Sequence, residues 1–387
     1  MIKTLKLARL QNPATAVGLV FMTLSILFSG WIARIPEIQA SLGLQEGQLG
    51  ISMMGLSFGA LFMTMASGWL SARLRTGLSL SSSTLLFCAA MALPAFAWDQ
   101  WSLMIALFIL GAANGFMNVS MNAAAAIVER TERVNIMPFC HAMYSLGLIV
   151  GALIASSAGA LNIPVSFHFP VLGALLALAY TFLHPVLGQL PQVERPASGF
   201  VLRSLPLVLL ASLAFCFVMS EAAIADWAAV YLKTELGSSV SIASLGYACF
   251  ACAMTAGRFS CNYLRSLLGV NRLMLLGVGI TVVGLVLPIA WSSVAMGIIG
   301  FTFAGLGVAN LVPIIFAAAA KLEGIHPAAG IAAVSTAGFT GLLLCRPIIG
   351  MLSQRWGLDT GLVFIASMAL TGGILLILIT RRGKVAL

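Results

Sequence analysis

Three asparagines spaced four residues apart form the most distinctive polar pattern in this sequence. Asn114, Asn118 and Asn122 share one face of the predicted helix 101–128, because positions four apart lie one above another. Amides both donate and accept hydrogen bonds, so this face suits a neutral sugar or polyol. Hydrogen bonding between helices is the alternative, and we assign it first to Asn122. In lipid, such a stripe must face other helices or a wet cavity.

Ionisable residues inside apolar segments form the second set of candidates, since charge is costly to place in a membrane. Glu221 and Asp226 lie in one predicted helix and Arg346 in another. Counted at about 1.5 Å per residue from the cytoplasmic ends, Glu221 and Arg346 share a depth, so they are candidates for an ion pair. A buried carboxylate that gains or loses its cation can couple a proton to conformation, which makes Glu221 and Asp226 proton-coupling candidates. The alternatives are a permanent structural pair for Glu221 and a helix-capping role for Asp226.

Other candidate residues follow from side-chain chemistry. Arg346 presents a planar fork for carboxylate, phosphate or hydroxyl groups, or simply neutralises Glu221. His141 is a candidate proton relay, with a histidine satisfied by the nearby turn as the alternative. Arg34 is a candidate gate or anion attractor, with an interfacial anchor as the alternative. The further substrate-binding candidates are Asn310, Tyr144, Trp31 and Trp227. Both tryptophans suit ligand stacking or an interfacial aromatic belt.

Composition indicates what must hold these residues. Hydrophobic residues make up 60% of the 387 residues and charged residues 8%, against about 45–50% and about 25% in soluble domains. The mean hydropathy is +1.06. We therefore predict an all-α membrane protein with roughly twelve spanning helices at about 20–25 residues each. The predicted spans are 14–34, 47–70, 77–97, 101–128, 138–160, 165–187, 204–232, 241–264, 271–291, 293–320, 328–354 and 358–380.

The distribution of the positive charge indicates the membrane topology of the chain and does not indicate nucleic-acid binding. The net charge is +9, and 16 of the 20 basic residues fall on one side of the predicted layout if the N-terminus is cytoplasmic. By the positive-inside rule, we expect a multi-pass membrane protein with both termini in the cytoplasm. The segment 188–203 is rich in proline, glycine and charge, and it predicts a cytoplasmic linker between an N-terminal bundle, 1–187, and a C-terminal bundle, 204–387.

An internal repeat supports this division into halves. Asn118, three residues after a glycine, is matched by Asn310, also three residues after a glycine, at an offset of 192. Gly147 is matched by Gly341 at an offset of 194. Offsets that agree near half the chain length predict two pseudo-symmetric six-helix bundles.

Five segments carry a resemblance to a known family over essentially the whole chain. They are GWIARIPEIQASLGL (30–44), NVSMNAAAAIVE (118–129), SEAAIADWAAVYL (220–232), GLGVANLVPIIFAAA (305–319) and AAVSTAGFTGLLLCRPIIG (332–350). The chain resembles the major facilitator superfamily, and within it bacterial inner-membrane permeases grouped with the fucose permease. The resemblance implies alternating access, with helices 1, 2, 4, 5, 7, 8, 10 and 11 lining a central path.

The loop after the second helix departs from the family pattern. Members of the superfamily carry a motif similar to G-x-x-x-D-R-x-G in this loop. Gly68 and Arg73 match that motif, but Ala72 stands where the motif has an acid. Asn262 replaces the usual acid after the eighth helix. Arg73 remains a gating candidate, although the acids that support the inward gate in relatives are missing from both loops.

The function expected from these observations is secondary active transport. The sequence has no HExxH, G-x-S-x-G or Walker motif, so we expect no enzyme activity, no cofactor and no metal site. We expect a monomer in the lipid bilayer that moves a small polar solute, sugar-like or a sugar acid, with protons as the coupling ion. The alternatives are a proton-driven exporter of drugs or metabolites and a transporter-like receptor that binds solute without moving it.

Overall fold

The computed structural model describes residues 12–133, 136–188, 190, 204–319, 321–322, 325 and 327–381, and within these ranges it contains helices and no strands. The helices of the first half are α1 (Pro13–Leu42), α2 (Glu46–Arg73), α3 (Thr76–Ala90), a short 3-10 helix (Leu93–Phe96), α4 (Gln100–Glu132), α5 (Met137–Ala160), α6 (Val165–Thr181) and α7 (His184–Leu187). Those of the second half are α8 (Leu205–Thr234), α9 (Val240–Phe259), α10 (Cys261–Leu268), α11 (Val270–Trp291), α12 (Val294–Val308), α13 (Leu311–Ala319), α14 (Pro327–Trp356) and α15 (Leu358–Arg381).

The predicted all-α membrane fold is confirmed. Eleven segments of the described chain are long and apolar enough to cross a membrane, and α12 and α13 together form one of them. The predicted sixth span is represented by α6, which is apolar but has only 17 residues. The first helix runs past Pro36 to Leu42, eight residues beyond its predicted end, because proline removes only one backbone donor from a helix whose other hydrogen bonds persist.

Residue contacts group the chain into two compact units. Unit 1 comprises Met1–Gly43 and Ser52–Arg195, and unit 2 comprises Leu44–Ile51 and Pro196–Leu387. The predicted linker 188–203 lies outside the described residues except for positions 188 and 190.

The helix ends follow local capping chemistry. Asp99 begins α4 with a capping box, in which the backbone N–H of Ser102 donates to Asp99 Oδ1 at 2.7 Å and Ser102 Oγ accepts from the backbone N–H of Asp99 at 2.9 Å. Hydrogen bonds from the side chain and the backbone N–H of Ser102 to the carboxylate lower the pKa of the exposed Asp99 carboxyl. Gly43 ends α1 at a φ of 62°, a left-handed conformation that glycine adopts without strain.

Matching glycines allow the same close helix contact in each unit. In unit 1, a Cβ on Gly111 of α4 would overlap the carbonyl oxygen of Leu56 on α2. In unit 2, a Cβ on Gly305 of α12 would overlap the carbonyl oxygen of Phe250 on α9. Both members of the second pair lie 194 positions after their counterparts. Small residues thus let backbones touch where larger side chains would separate the helices.

The glycine pair noted in the sequence also has equivalent contacts. A Cβ on Gly147 of α5 would lie 2.6 Å from the carbonyl oxygen of Met22 on α1. A Cβ on Gly341 of α14 would lie 2.7 Å from the carbonyl oxygen of Phe215 on α8. The offset of 194 therefore marks a structural repeat within the chain.

We predict that Gly305→Ala lowers the free energy of unfolding by about 1–3 kcal/mol, because the new methyl group must push α12 away from the backbone of α9. The measurement is the thermal unfolding midpoint of the purified protein. The matched control is Gly279→Ala on α11, where the added Cβ meets nothing within 4 Å. That control should be neutral or stabilising by up to about 1 kcal/mol, since alanine favours helix over glycine. Equal midpoints for the two variants would contradict the close contact.

Candidate functional site

The two acids of α8 face different neighbours. Glu221 and Asp226 are five residues apart, and at about 100° per residue their side chains project roughly 140° apart around the helix axis. Asp226 faces α14 and Glu221 faces α9. One helix therefore carries two separate ion pairs, both within unit 2.

The predicted pairing of Glu221 with Arg346 is wrong. Arg346 of α14 pairs with Asp226 instead, through Nε to Oδ2 at 2.8 Å and Nη2 to Oδ1 at 3.4 Å. Matching by depth alone ignored the direction in which each side chain leaves its helix, and that direction selects Asp226. The two side chains are 3% and 2% exposed. The fork of Arg346 is thus engaged by a buried carboxylate, which indicates a structural pair.

Glu221 pairs with Arg258, near the C-terminal end of α9. Arg258 Nη2 donates to Glu221 Oε1 at 2.7 Å. In contrast to the Asp226 pair, the Arg258 and Glu221 side chains are 30% and 23% exposed. The Glu221–Arg258 pair is therefore less buried than the Asp226–Arg346 pair.

A break between α12 and α13 supplies the rest of this site. Pro313 has no N–H, and its ring excludes a normal helical contact with the carbonyl of Ala309, four residues earlier. The helix is interrupted at Ala309 and Asn310. The freed Ala309 carbonyl accepts from Arg258 Nε at 3.3 Å. Proline thus creates the acceptor that holds one side of the arginine.

Asn310 extends the same network. Its Nδ2 donates to the carbonyl of Gly257 at 3.0 Å, next to Arg258 in the chain. Among the described residues, neither Asn310 Oδ1 nor Glu221 Oε2 has a hydrogen-bond partner, although both atoms are buried. Buried polar atoms are normally satisfied, so this site offers two acceptors to a hydrogen-bond donor.

The amide stripe of unit 1 lies on α4 as predicted. Asn118 is exposed, whereas Asn114 and Asn122 are partly buried. Asn122 Nδ2 donates to the Asn118 backbone carbonyl at 2.8 Å and lies 3.3 Å from Asn118 Oδ1. This bond lies within α4 and is not the bond between helices that was expected for Asn122, and Asn118 is the most accessible amide of the three.

Burial contradicts the interfacial alternatives for three residues. Arg34 is 1% exposed, donates from Nη2 to the Ile163 carbonyl at 2.7 Å and pairs with Glu37. It is therefore a buried contact of α1 and not an interfacial anchor. Trp31 and Trp227 are 0% and 1% exposed, which excludes them from an interfacial belt. Position near a predicted helix end was a poor guide, because α1 continues to Leu42 and neighbouring helices cover these residues.

The other predicted residues lie apart from the ion pairs. His141 of α5 is exposed and meets Phe21 edge-on, with ring centroids 5.8 Å apart. Tyr144, one turn later, is partly buried. Arg73 is the last residue of α2, and its side chain lies outside the described residues.

Sequence reasoning missed two ionisable residues. Arg258 was counted among the cytoplasmic charges, although it lies six residues inside the predicted span 241–264. His168 lies in the first turn of α6 and is 6% exposed. The rule that an ionisable residue within a span is a functional candidate would have selected both.

With this geometry established, comparison with known proteins identifies the class. The chain belongs to the major facilitator superfamily, whose model matches residues 14–233 and 210–386. Two solved structures share the fold. The nucleoside transporter NupG superposes with a TM-score of 0.77 at 14% identity, covering 96% of this chain and 99% of that one. A bacterial homolog to the human lysosomal transporter Spinster gives 0.76 at 15% identity, covering 95% and 96%.

Two relatives match over nearly the whole sequence. Membrane protein MosC of Rhizobium meliloti is 29% identical over 354 residues, covering 92% of this chain and 87% of that protein. An uncharacterized MFS-type transporter of Yersinia pestis is 28% identical over 359 residues, covering 91% and 92%. The chain is accordingly a multi-pass membrane protein of a transporter family.

We predict that removing one charge of the buried Asp226–Arg346 pair destabilises the protein, whereas removing both charges restores most of its stability. Asp226→Asn or Arg346→Gln alone breaks the buried charge pair and should lower the free energy of unfolding by about 3–5 kcal/mol. The double variant leaves no unpaired charge and should recover most of that loss. Thermal unfolding of the four purified proteins checks this. A double variant as unstable as the worse single variant would contradict a structural pair.

Proposed function

We propose that this protein is a proton-coupled symporter of a small hydroxylated solute, sugar-like or a sugar acid, working by alternating access. The proposal places it as a monomer in the bacterial inner membrane with both termini in the cytoplasm. The observation that carries it is the accessible Glu221–Arg258 pair beside the helix break.

Glu221 is the proposed coupling residue because its two states have different partners. Ionised Glu221 is held by Arg258 at 2.7 Å. Protonated Glu221 loses most of that attraction, so the guanidinium is freer to contact a solute. Arg258 stays attached to the Ala309 carbonyl through Nε, which keeps it in place between the two states. A partly exposed pair suits this exchange better than Asp226–Arg346, where parting the charges in a dry interior is costly.

The open acceptors favour a solute that carries hydroxyl donors. Glu221 Oε2 and Asn310 Oδ1 have no partner among the described residues. Hydroxyl groups of a sugar can donate to both and accept from Arg258. NupG, which shares the fold, is a nucleoside transporter, and a nucleoside also presents sugar hydroxyls.

The first step of the test identifies a ligand. A ligand that binds only the folded state raises the unfolding midpoint, so the purified protein is screened with neutral hexoses, polyols, hexuronates and nucleosides. The best ligand is then used, radiolabelled, in liposomes carrying the protein. Accumulation inside under an inward proton gradient supports symport. Efflux under that gradient would instead support the exporter, and binding without movement would support the receptor.

We predict that Glu221→Gln separates binding from coupling. Glutamine resembles the protonated acid and can still accept from Arg258, so the fold is kept. The variant should bind the ligand and exchange it across the liposome membrane, yet fail to accumulate it under an imposed pH step.

The matched control is Glu132→Gln, the same change at an exposed residue at the end of α4. It should accumulate ligand like the wild type. Full proton-driven accumulation by Glu221→Gln would remove Glu221 from the coupling step. Loss of accumulation in both variants would show that the assay does not report on this site.

A further inference from the structure

A second polar cluster lies in unit 1, where the end of α1 meets the start of α6. Arg34 Nε donates to Glu37 Oε2 at 2.7 Å, and Nη2 donates to the Ile163 carbonyl at 2.7 Å. Arg34 Nη1 is buried and has no hydrogen-bond partner among the described residues. One edge of a fully buried guanidinium is thus left unsatisfied.

His168 is the buried titratable residue at the end of α6 that Arg34 contacts. It is in the first turn of α6, five residues after the carbonyl that Arg34 contacts, and the charge of Arg34 acts on its ring. His168 is 6% exposed, and both ring nitrogens are buried without a partner among the described residues. Trp31 lies one turn before Arg34 on the same face of α1, and its buried Nε1 is also unpartnered in the described chain.

The unsatisfied groups of this cluster are mostly donors. Arg34 Nη1 has two N–H groups, Trp31 Nε1 has one, and a neutral imidazole adds one donor and one acceptor. Buried polar groups are almost always hydrogen-bonded, so the cluster calls for a partner rich in lone pairs. The first backbone N–H groups of the 17-residue helix α6 add partial positive charge at the same end.

We propose that Trp31, Arg34 and His168 form a binding site for a small monovalent anion, which is taken up together with a proton on His168. This site is separate from the Glu221–Arg258 pair and does not depend on the proposed transport function.

The proton follows from the charge balance of the cluster. Arg34 and Glu37 neutralise each other, so an anion alone would add an uncompensated buried charge. A protonated imidazole offsets that charge and turns the remaining acceptor into a donor.

Helices α1, α3 and α7 and the 3-10 helix pack against α6. The titratable or charged groups that these elements bring near α6 are Arg34 and Glu37 of α1, Cys88 of α3 and His184 of α7. His184 lies at the C-terminal end of α6, far from the cluster, and the 3-10 helix has no such group.

The test uses chloride as the probe and gluconate as an anion too large for a buried site. Thermal unfolding of the full-length protein is measured in the two sodium salts at equal ionic strength, at about pH 5 and about pH 8. Chloride should raise the midpoint over gluconate, and more so at the lower pH. If one proton binds with each anion, the apparent chloride affinity falls about tenfold for each unit by which the pH rises above the titration range of the histidine.

Variants connect the effect to the cluster. His168→Gln should weaken the chloride response and remove its pH dependence, and Trp31→Phe should weaken it while keeping an aromatic ring. His184→Gln makes the same change at an exposed histidine and should respond as the wild type does. Equal wild-type midpoints in the two salts at both pH values would overturn the proposal. So would an unchanged, pH-dependent chloride response in His168→Gln.

Crystals of the wild type grown in bromide give a readout that does not depend on the variants. An anomalous peak within hydrogen-bond reach of Arg34 Nη1 supports the site. A bromide-containing crystal without such a peak overturns it.

Discussion

A polar group without a partner is costly wherever water is excluded, and this constraint connects the main features of unit 2. Pro313 interrupts a membrane helix and frees the carbonyl of Ala309. That carbonyl is satisfied by Arg258 from the neighbouring helix α9. Arg258 in turn is a charge inside a span, and Glu221 supplies its counterion. The break at Pro313 therefore creates an acceptor that Arg258 satisfies, and Glu221 neutralises the charge of Arg258.

The same constraint makes the two ion pairs of α8 differ in how easily their charges can be parted. Asp226 and Arg346 are almost fully buried, so parting them would leave two desolvated charges. Such a pair holds α8 against α14 but cannot readily exchange partners. Glu221 and Arg258 are partly exposed, so parting them leaves less charge desolvated and costs less. Weak, reversible attraction is what a residue needs if a proton or a solute is to displace its partner.

Apolar runs of helical length predict the membrane helices well, because no other structure satisfies so much backbone in lipid. The list of ionisable candidates was also largely readable, since Glu221, Asp226 and Arg346 stand out in apolar segments. Their partners were not readable. Depth follows from counting residues, whereas pairing also depends on the azimuth of each side chain and on which helices are neighbours. For the same reason, Arg34 and Trp31 were placed at an interface although neighbouring helices bury them.

The repeat separates what is architectural from what is chemical. Glycine contacts recur 194 positions apart, so each unit contains the same close contacts between its own helices. The ion pair does not recur. The positions 194 before Glu221 and Arg258 are Leu27 and Thr64, neither of which carries a charge. Because duplicated packing is maintained without duplicated charge, the charged pair is not required by the helix bundle itself. Within unit 2, the pair instead follows from the helix break at Pro313, which leaves the Ala309 carbonyl for Arg258 to satisfy and places a charge that Glu221 neutralises.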